Sequence, residues 1–418
     1  MNRSDAERLA TILEGAGFKK STEDKADLII ILACSVRQSA IDRIWGRINQ
    51  WNHWKAKRPL ITILSGCVVA DDKRKFRDKF DYILTIDELT ATPQMLLSLL
   101  KKKLPSQDYF RIHPKYESNF QAYVPISTGC NNFCTYCVVP YTRGREKSRL
   151  ADDIISEVKE LVSEGYKEIT LLGQNVNSYG LPGKTTNQPF IELLKKINAI
   201  PGNFWFFFIT NHPKDMSDEL IQTLPELRKA GHYIHLPVQS GDDEILKRMN
   251  RHYTTSHYLN LVKKIRETLP DVCLSTDIIV GFPGETEAQF ENTAHLMKQA
   301  KFDMAYIAQY SPRSGTAAYK LKDDVPKPEK KRREKILTEI LKETALANNQ
   351  KYVDEVVKVL VIEKLKDYYY LAKTRTFKNV KFQHTANLVG QFTKLKITKT
   401  GVWGLEGKFI PPPTLAKI

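Results

Sequence analysis

The feature that most constrains the fold is a repeat of apolar segments and helical patterns between residues 119 and 350. Six apolar segments of strand length alternate with helical stretches, at 123–126, 168–172, 204–209, 233–237, 272–280 and 304–309. Continuous apolar runs of this length are typical of parallel strands buried on both faces. The repeat predicts six βα units, two fewer than a closed eightfold barrel, with the chemistry at the carboxyl ends of the strands.

Three cysteines follow the first of these strands. Cys130, Cys134 and Cys137 form a C-x3-C-x2-C pattern. Thiolates at this spacing suit three irons of a 4Fe–4S cube, whose fourth iron is then free to bind an amino and a carboxylate group. A zinc site would need a fourth Cys or His nearby, and His113 lies upstream without finger-like spacing. An odd number of close thiols also argues against a disulfide framework.

The triplet and the residues after it resemble a known family. With Tyr136 before the last cysteine, the pattern resembles the signature of radical S-adenosylmethionine (SAM) enzymes. The longer string Cys-Thr-Tyr-Cys-Val-Val-Pro-Tyr-Thr-Arg-Gly-Arg-Glu, residues 134–146, resembles the methylthiotransferases of the MiaB type, which act on tRNA. The resemblance implies a radical SAM barrel in which the open iron binds SAM. An electron from the cluster then cleaves the sulfonium to a 5′-deoxyadenosyl radical.

Charge and composition narrow the class of protein. The 418 residues carry a net charge of +16, which favours a polyanionic partner such as nucleic acid, although an ordinary enzyme of a basic proteome would look similar. No apolar run is long enough for a transmembrane helix, and the first residues lack a signal-peptide core. Six cysteines do not make a disulfide scaffold, so we expect reduced thiols and a cytoplasmic protein.

Residues 1–105 predict a separate α/β domain. Apolar strands at 26–32, 60–64 and 82–86 alternate with helical patterns, which is typical of a doubly wound sheet. Cys34 and Cys67 come just past the carboxyl ends of the first two strands, where ligand sites of open α/β sheets gather. From these residues alone, a ligand pair and two small turn residues are about equally favoured.

The family comparison favours the ligand pair. Ala-Cys-Ser-Val-Arg around Cys34 and Ser-Gly-Cys at Cys67 resemble the second and third cysteines of the methylthiotransferase amino-terminal domain, which hold an auxiliary 4Fe–4S cluster. That domain begins with a strand and Gly-Cys-x-x-Asn, and Asn2 matches its Asn. The first strand and first cysteine would precede Met1. We expect the true chain to start upstream, while a fragment or a real loss of the ligand stays open.

Polar and glycine-rich loops follow the later strands of the central repeat. The resemblance implies SAM contacts from these loops, at Gly173, Gln174, Asn175, Gln239, Gly281 and Gly284. Ordinary turn chemistry is the alternative for each loop taken singly. Arg143, Arg145 and Arg149 either hold a phosphate or carboxylate or form a solvated basic loop. Cys273, His212 and His235 are expected to be structural.

The end of the chain predicts a helix and a small β domain. Residues 325–352 form a charged helix that braces the barrel, with a basic end that is either solvated or turned to RNA. Residues 353–418 alternate apolar and polar residues between glycines, which predicts a five-stranded barrel and resembles the RNA-binding TRAM domain. Its aromatic residues Tyr368, Tyr369, Tyr370, Phe377 and Phe382 are either base-stacking surfaces or core.

Together these features predict three domains, 1–105, 119–350 and 353–418, in a tRNA methylthiotransferase. The resemblance implies two 4Fe–4S clusters and SAM as cofactors, and methylthiolation of carbon 2 of isopentenyl-adenosine next to the anticodon. The expected partners are the tRNA anticodon stem-loop and an electron donor such as flavodoxin or ferredoxin, with the enzyme a monomer away from membranes. Two alternatives stay open: the sister enzyme for threonylcarbamoyl-adenosine, and an RNA-binding homologue without thiolation activity.

Overall fold

The structure of the protein is a computed structural model that describes residues 1–34, 38–86, 88, 109–180 and 188–411. The domain boundary predicted at residue 105 and the final residues 412–418 lie outside this range. Among the described residues, no helix has the length and apolar character needed to span a membrane.

The amino-terminal domain is a three-stranded parallel sheet with helices on both faces. Its strands lie in the order β1, Leu28–Cys34; β2, Ile61–Cys67; and β3, Tyr82–Ile83. Its helices are α1, Asn2–Gly15; α2, Gln38–Lys55; and α3, Ala70–Phe76. Ile30 of β1 packs with Leu9 of α1, whereas Ile29 packs on the other face with Ile41 of α2. The alternation along one strand therefore places a helix on each side, and the predicted doubly wound arrangement is confirmed.

The central domain contains the six predicted strands. They are β4, Gln121–Pro125; β7, Glu168–Leu172; β8, Trp205–Phe208; β9, Tyr233–His235; β10, Cys273–Val280; and β11, Met304–Gln309. β4, β7 and β8 pair in parallel, as do β9, β10 and β11, and a parallel bridge from Phe206 to Ala230 connects the two groups. A short antiparallel pair, β5 (Ser127–Thr128) and β6 (Lys147–Ser148), flanks the cysteines. The predicted open (β/α)6 barrel is confirmed.

The helices of the central domain cover the outside of this sheet. They are α4, Val139–Thr142; α5, Ala151–Ser163; α6, Gln188–Ala199; α7, Asp218–Thr223; α8, Asp243–Arg248; α9, Thr255–Thr268; and α10, Glu287–Ala300. The sequence pattern also predicts one continuous helix at 216–229. This prediction is wrong, because only α7 and a single 3-10 turn at Leu224–Glu226 form there. Pro225 lacks the N–H and crowds the preceding turn, so the α-helix ends at Thr223.

A long helix and a closed five-stranded barrel complete the described chain. Helix α11, Lys327–Gln350, inserts Leu337 and Leu341 into the central core, so its predicted bracing role is confirmed. Lys330 and Arg333 of its basic end are buried, which corrects the expectation of a solvated or RNA-facing end for these two residues. The barrel strands are β12, Val356–Lys364; β13, Tyr369–Thr374; β14, Asn379–Gln383; β15, Phe392–Gly401; and β16, Gly404–Phe409, in the order β12-β13-β14-β16-β15. Gly404 and Gly407 belong to β16 rather than to turns.

Candidate active site

The three cysteines of the triplet lie in one loop at the carboxyl end of the barrel, between β5 and α4. The backbone fixes this loop: the Cys130 N–H donates to the Gly144 carbonyl at 3.2 Å, and the Cys137 N–H donates to the Cys134 carbonyl at 2.9 Å. Gly129 has φ +78°, and a Cβ there would lie 2.2 Å from the Arg145 carbonyl oxygen. Only glycine allows the two arms of the loop to approach so closely.

Other parts of the barrel hold the loop from outside. The Asn250 amide donates to the Asn132 and Phe133 carbonyls, each at 3.1 Å, and the Thr135 hydroxyl donates to the Arg248 carbonyl at 2.9 Å. These bonds join the loop to the last residue of α8 and to Asn250 beyond it, more than 100 residues away in sequence. The positions of the thiols are therefore set by the folded barrel and not by the loop alone.

The thiols are sheltered from water. Cys130 and Cys134 are 9% and 8% exposed, and Cys137 is half-buried. Burial raises the pKa of Cys130, and it raises the pKa of Cys137 to about 12. Binding of iron must therefore displace protons from these groups. The buried Arg251 donates from Nη1 to the Cys134 sulfur at 3.5 Å and from Nη2 to the Pro237 carbonyl at 2.6 Å, so it ties this sulfur to the segment after β9.

The cysteines do not converge on a single metal ion. Within the described ranges, no group of three or more His, Cys, Asp or Glu side chains is arranged to hold one ion. This arrangement disfavours a zinc site. It is compatible with a cubane, because each thiolate of a cubane binds a different iron.

Unpaired polar atoms gather at the same end of the sheet. Among the residues that the structure describes, neither amide atom of the buried Gln174 side chain has a hydrogen-bond partner, and the same holds for Asn175 Oδ1, Asn211 Oδ1 and His212 Nε2. These residues follow the carboxyl ends of β7 and β8. Buried polar groups are normally hydrogen-bonded, so such a set indicates a place that a polar ligand completes. The residues present thus fit SAM beside a cluster held by the triplet.

The other predicted SAM residues have internal contacts. Gln239 is 7% exposed, has φ +72° and forms a parallel bridge with Ile278 at the end of β10. A Cβ at Gly173 would lie 2.6 Å from Ser127 Oγ, and one at Gly281 would lie 2.4 Å from Lys330 Cγ. A Cβ at Gly284 would lie 2.8 Å from the Arg248 guanidinium. Another side chain of this protein thus occupies the space beside each glycine. Contact between these glycines and SAM stays a prediction.

Sequence reasoning missed the buried acid Glu146. Its carboxylate accepts bonds from the Ser178 hydroxyl at 2.7 and 2.8 Å and is 8% exposed. Burial, with the nearby Asp215 charge, raises the pKa of Glu146 to about 7. The signal was present in the sequence, since Glu146 ends the string that follows the triplet.

The arginines after the triplet divide by environment. Arg149 is buried and paired with Glu157, so neither a phosphate site nor a solvated loop describes it. Arg143 is buried against Asp5 and Cys67 of the amino-terminal domain. Arg145 is exposed, with its guanidinium 4.3 Å from the Phe133 ring centre. The expected structural roles are confirmed for His235, which bonds Ser275 at 2.8 Å, and for Cys273, which is 5% exposed.

Cys34 and Cys67 form the second thiol site. They end β1 and β2 and are direct partners in the parallel register. Gly66, at φ +97°, lets the two strands meet closely, because a Cβ there would lie 2.4 Å from the Ala33 carbonyl oxygen.

Three of the five aromatic residues predicted as base-stacking surfaces or core are not available to RNA. Tyr370 and Phe382 are in the barrel core, and Phe377 stacks on Tyr233 of the central domain with ring centres 4.5 Å apart. For these three residues the base-stacking alternative is therefore wrong, and the core alternative holds. Tyr368 is 61% exposed and Tyr369 is half-buried at the surface.

Comparisons with known proteins identify the family. Residues 124–297 match the radical SAM superfamily, and residues 1–86 match a family described as uncharacterized protein family UPF0004. The chain is 42% identical to the tRNA-2-methylthio-N(6)-dimethylallyladenosine synthase of Thermoanaerobacter sp. (strain X514), across 98% of this chain and 90% of that protein. The protein of the same name from Carboxydothermus hydrogenoformans is also 42% identical, across 98% of this chain and 97% of its own length. The chain belongs to this methylthiotransferase family.

Solved structures show the same fold at lower similarity. The radical SAM methyltransferase TsrM from Kitasatospora setae matches with a TM-score of 0.55 and 12% identity, over 75% of this chain and 73% of that one. The cobalamin-dependent radical SAM enzyme OxsB matches with a TM-score of 0.51 and 13% identity, over 82% of this chain and 53% of that one. As a radical SAM methylthiotransferase, the chain works with SAM and an iron–sulfur cluster.

Proposed function

We propose that this methylthiotransferase adds a methylthio group to carbon 2 of isopentenyl-adenosine next to the anticodon of tRNA. The observation that carries the proposal is one face of the barrel, where three sheltered thiols lie near buried polar atoms that have no partner among the described residues. The names of relatives that align with 98% of the chain supply the substrate. The sister activity on threonylcarbamoyl-adenosine has no comparable support among these relatives.

Cys130, Cys134 and Cys137 would hold a 4Fe–4S cluster through their three sulfurs. The bound cluster supplies the electron that activates SAM. Gln174, Asn175 and Gln239 would bind the polar groups of SAM, since two of them carry buried atoms that have no partner within the described part of the chain. Gly173, Gly281 and Gly284 would keep the adjoining turns narrow enough for this contact.

Side chains of this protein fix the geometry of the barrel face that carries the three cysteines. Arg251 orients the Cys134 sulfur and is itself anchored on the Pro237 carbonyl. Asn175 donates to the Asp215 carboxylate at 2.7 Å, which fixes the amide, while its oxygen accepts from none of the described residues and can bind a ligand. Burial lowers the pKa of His212, so its ring is neutral at pH 7. Its Nε2 can therefore form a hydrogen bond with an uncharged polar group.

Cys34 and Cys67 would contribute to a second, auxiliary 4Fe–4S cluster. The two cysteines are the last residues of adjacent parallel strands. A further ligand must complete the set of residues that binds the cluster. The family resemblance of both segments supports this assignment. Metal-free protein reconstituted under anaerobic conditions would then bind about eight irons per chain, whereas one cluster would give about four.

The expected substrate surface includes Tyr368 and Tyr369. Lys381 Nζ lies 4.1 Å from the Tyr369 ring centre, and Lys364 Nζ lies 6.0 Å from that of Tyr368. Charge next to aromatic faces suits single-stranded RNA, so the tRNA anticodon stem-loop is the proposed partner. The target base must leave its stack to reach the cysteine face. A flavodoxin or ferredoxin would serve as the electron donor.

Nucleoside mass spectrometry of tRNA from a deletion strain tests the proposal. The 2-methylthio-isopentenyl nucleoside should disappear, and its precursor without the methylthio group should accumulate. The parent gene should restore the modification, as should Cys273→Ala, which changes a buried thiol at the opposite end of the sheet. Cys134→Ala should not restore it. An unchanged profile would refute the function, and loss of the 2-methylthio-threonylcarbamoyl nucleoside instead would assign the sister activity.

A further inference from the structure

One side chain joins the two thiol sites. Arg143 follows α4 directly after the cysteine loop of the barrel, and its guanidinium reaches into the amino-terminal domain. Its Nε donates to the Cys67 sulfur at 2.9 Å, and its Nη2 donates to Asp5 Oδ2 at 2.6 Å and to Asn2 Oδ1 at 3.2 Å. A residue from the loop that carries one set of cysteines thus touches a cysteine of the other set.

The contact is enclosed. The side chains of Arg143 and Asp5 are only 6% and 1% exposed. A buried guanidinium needs a counter-charge and well-directed acceptors, and Asp5 supplies the charge. The three acceptors around Arg143 come from α1 and β2, so its position is determined by the amino-terminal domain.

The direction of the Nε–H distinguishes this contact from an ordinary interdomain ion pair. An arginine that only pairs with a carboxylate favours the bidentate arrangement, with two N–H groups on the two oxygens. Asp5 instead receives Arg143 on Oδ2 and the Tyr109 hydroxyl on Oδ1, the latter at 2.6 Å. The Nε–H of Arg143 is therefore left for the sulfur.

We propose that Arg143 is a positioning residue that fixes the Cys67 sulfur toward the cysteine loop of the barrel and raises the reduction potential of a cluster bound there. This inference rests on the proposed function, in which Cys67 ligates an auxiliary cluster. Hydrogen bonds to ligating sulfur and nearby positive charge stabilise the more negative, reduced form of a cluster. Arg143 supplies both from a buried position, where solvent screens the charge least.

The potential of the auxiliary cluster tests the inference without relying on turnover. In this test the parent is a triple variant in which Cys130, Cys134 and Cys137 are replaced by Ala, so that iron can assemble only at the auxiliary site. It is reconstituted anaerobically with a small thiol, which can supply further ligands, and titrated with a reductant while the reduced cluster is followed by electron paramagnetic resonance. In this background Arg143→Met should shift the midpoint potential to a more negative value and alter the spectrum.

Two further variants separate positioning from charge and from folding. Arg145→Met removes the same charge from the same loop, but Arg145 lies on Phe133 and not on Cys67, so the potential should stay near that of the parent. Arg143→Lys keeps a cation for Asp5 and therefore the domain contact, yet it lacks the Nε–H. It should shift the potential in the same direction as Arg143→Met, by a smaller amount.

The outcomes are distinct. Equal potentials in the parent, Arg143→Lys and Arg143→Met would overturn the inference and leave the proposed auxiliary cluster standing. Equal shifts from Arg143→Met and Arg145→Met would also overturn it, because loop charge alone would then explain the effect. A parent that binds no iron would refute the auxiliary cluster itself, and the inference with it.

Discussion

The two ends of the central sheet differ in how their buried polar groups are hydrogen-bonded. At the carboxyl end, both amide atoms of Gln174 and the Nε2 atom of His212 have no partner within the ranges that the structure describes. At the amino end, Glu168 at the start of β7 accepts from Lys373 at 2.9 Å, and Asp303 before β11 accepts from Lys378 at 2.6 Å. Both lysines come from the β-barrel, which covers this end of the sheet.

The difference indicates which end binds ligands. An unsatisfied buried polar group costs about 1–3 kcal/mol, so a cluster of them is retained only where a ligand supplies the missing bonds. The amino end has its pairs already made and is closed further by Phe377 stacked on Tyr233. We infer that substitutions at the carboxyl end affect chemistry, whereas those at the amino end affect stability.

The largest effect is expected at the cysteines. Cys134→Ala should reduce iron binding at the triplet and abolish reductive cleavage of SAM, because a cubane needs all three sulfurs. Cys273→Ala, at the start of β10, should retain both properties. Iron analysis and 5′-deoxyadenosine formation by reconstituted protein measure the two outcomes. Cleavage of SAM by Cys134→Ala at the parent rate would remove the triplet from the chemistry.

The next effect is expected at the domain contact of the amino end. Lys378→Met should lower the free energy of unfolding by about 3–5 kcal/mol, because it leaves the Asp303 carboxylate buried without its cation. Both side chains of this pair are less than 9% exposed. Lys396→Met is the matched control, since its pair with Asp354 is largely exposed and should contribute about 0–1 kcal/mol. Denaturant unfolding of the cluster-free proteins compares them, and equal losses would contradict the prediction.

A smaller effect is expected from the titration of Glu146. Its folded pKa of about 7 lies above the usual value of 4.5, so the folded state holds the proton more tightly than the unfolded state. The stabilisation is complete below about pH 4.5 and is lost as the pH rises to about 7. We expect the unfolding free energy to fall by about 1–3 kcal/mol across this window.

Glu146→Gln provides the test of that titration. The variant should remove this part of the pH dependence and should equal or exceed the parent in stability at pH 7, because glutamine stays neutral. Thermal or denaturant unfolding of the cluster-free proteins at several pH values gives both curves. Parallel curves for the parent and the variant would show that Glu146 ionises normally in the folded state.

The sequence predicts those parts of the molecule that depend on local pattern. The apolar runs at 168–172 and 304–309 coincide with β7 and β11 at both ends, because a buried parallel strand has few ways to differ from its sequence pattern. The break at Pro225 was also a local signal, and it was overlooked in the predicted helix 216–229. The family resemblance carried by the cysteine string is confirmed by the full-length relatives.

Contacts between distant segments could not be read from the pattern. Nothing near Arg143 indicates that its guanidinium reaches Asp5, 138 residues away. The alternation of apolar and polar residues in the β-barrel does not distinguish Phe377 from Tyr368. Phe377 packs across a domain boundary, whereas Tyr368 is exposed. In the same way, Gly281 indicates a tight turn, but only the fold shows that Lys330 fills the adjacent space. These features arise from tertiary packing, where short-range propensities have no influence.

The smallest effect on stability, and the sharpest test of the contrast between the two ends, is expected from Gln174→Met. Methionine keeps the approximate shape of glutamine but removes two buried amide atoms that have no partner among the residues described. The ligand-free protein should therefore be unchanged or up to about 1 kcal/mol more stable. Affinity for SAM should nevertheless fall about tenfold, because one lost hydrogen bond is worth about 1.4 kcal/mol of binding. Lys378→Met should show the reverse pattern, with reduced stability and parent-like affinity for SAM. Equilibrium binding of SAM to reconstituted protein and unfolding of the cluster-free protein measure the two quantities. If Gln174→Met destabilises the protein without weakening SAM binding, then its amide is a structural group and unpaired polar atoms do not identify the ligand face.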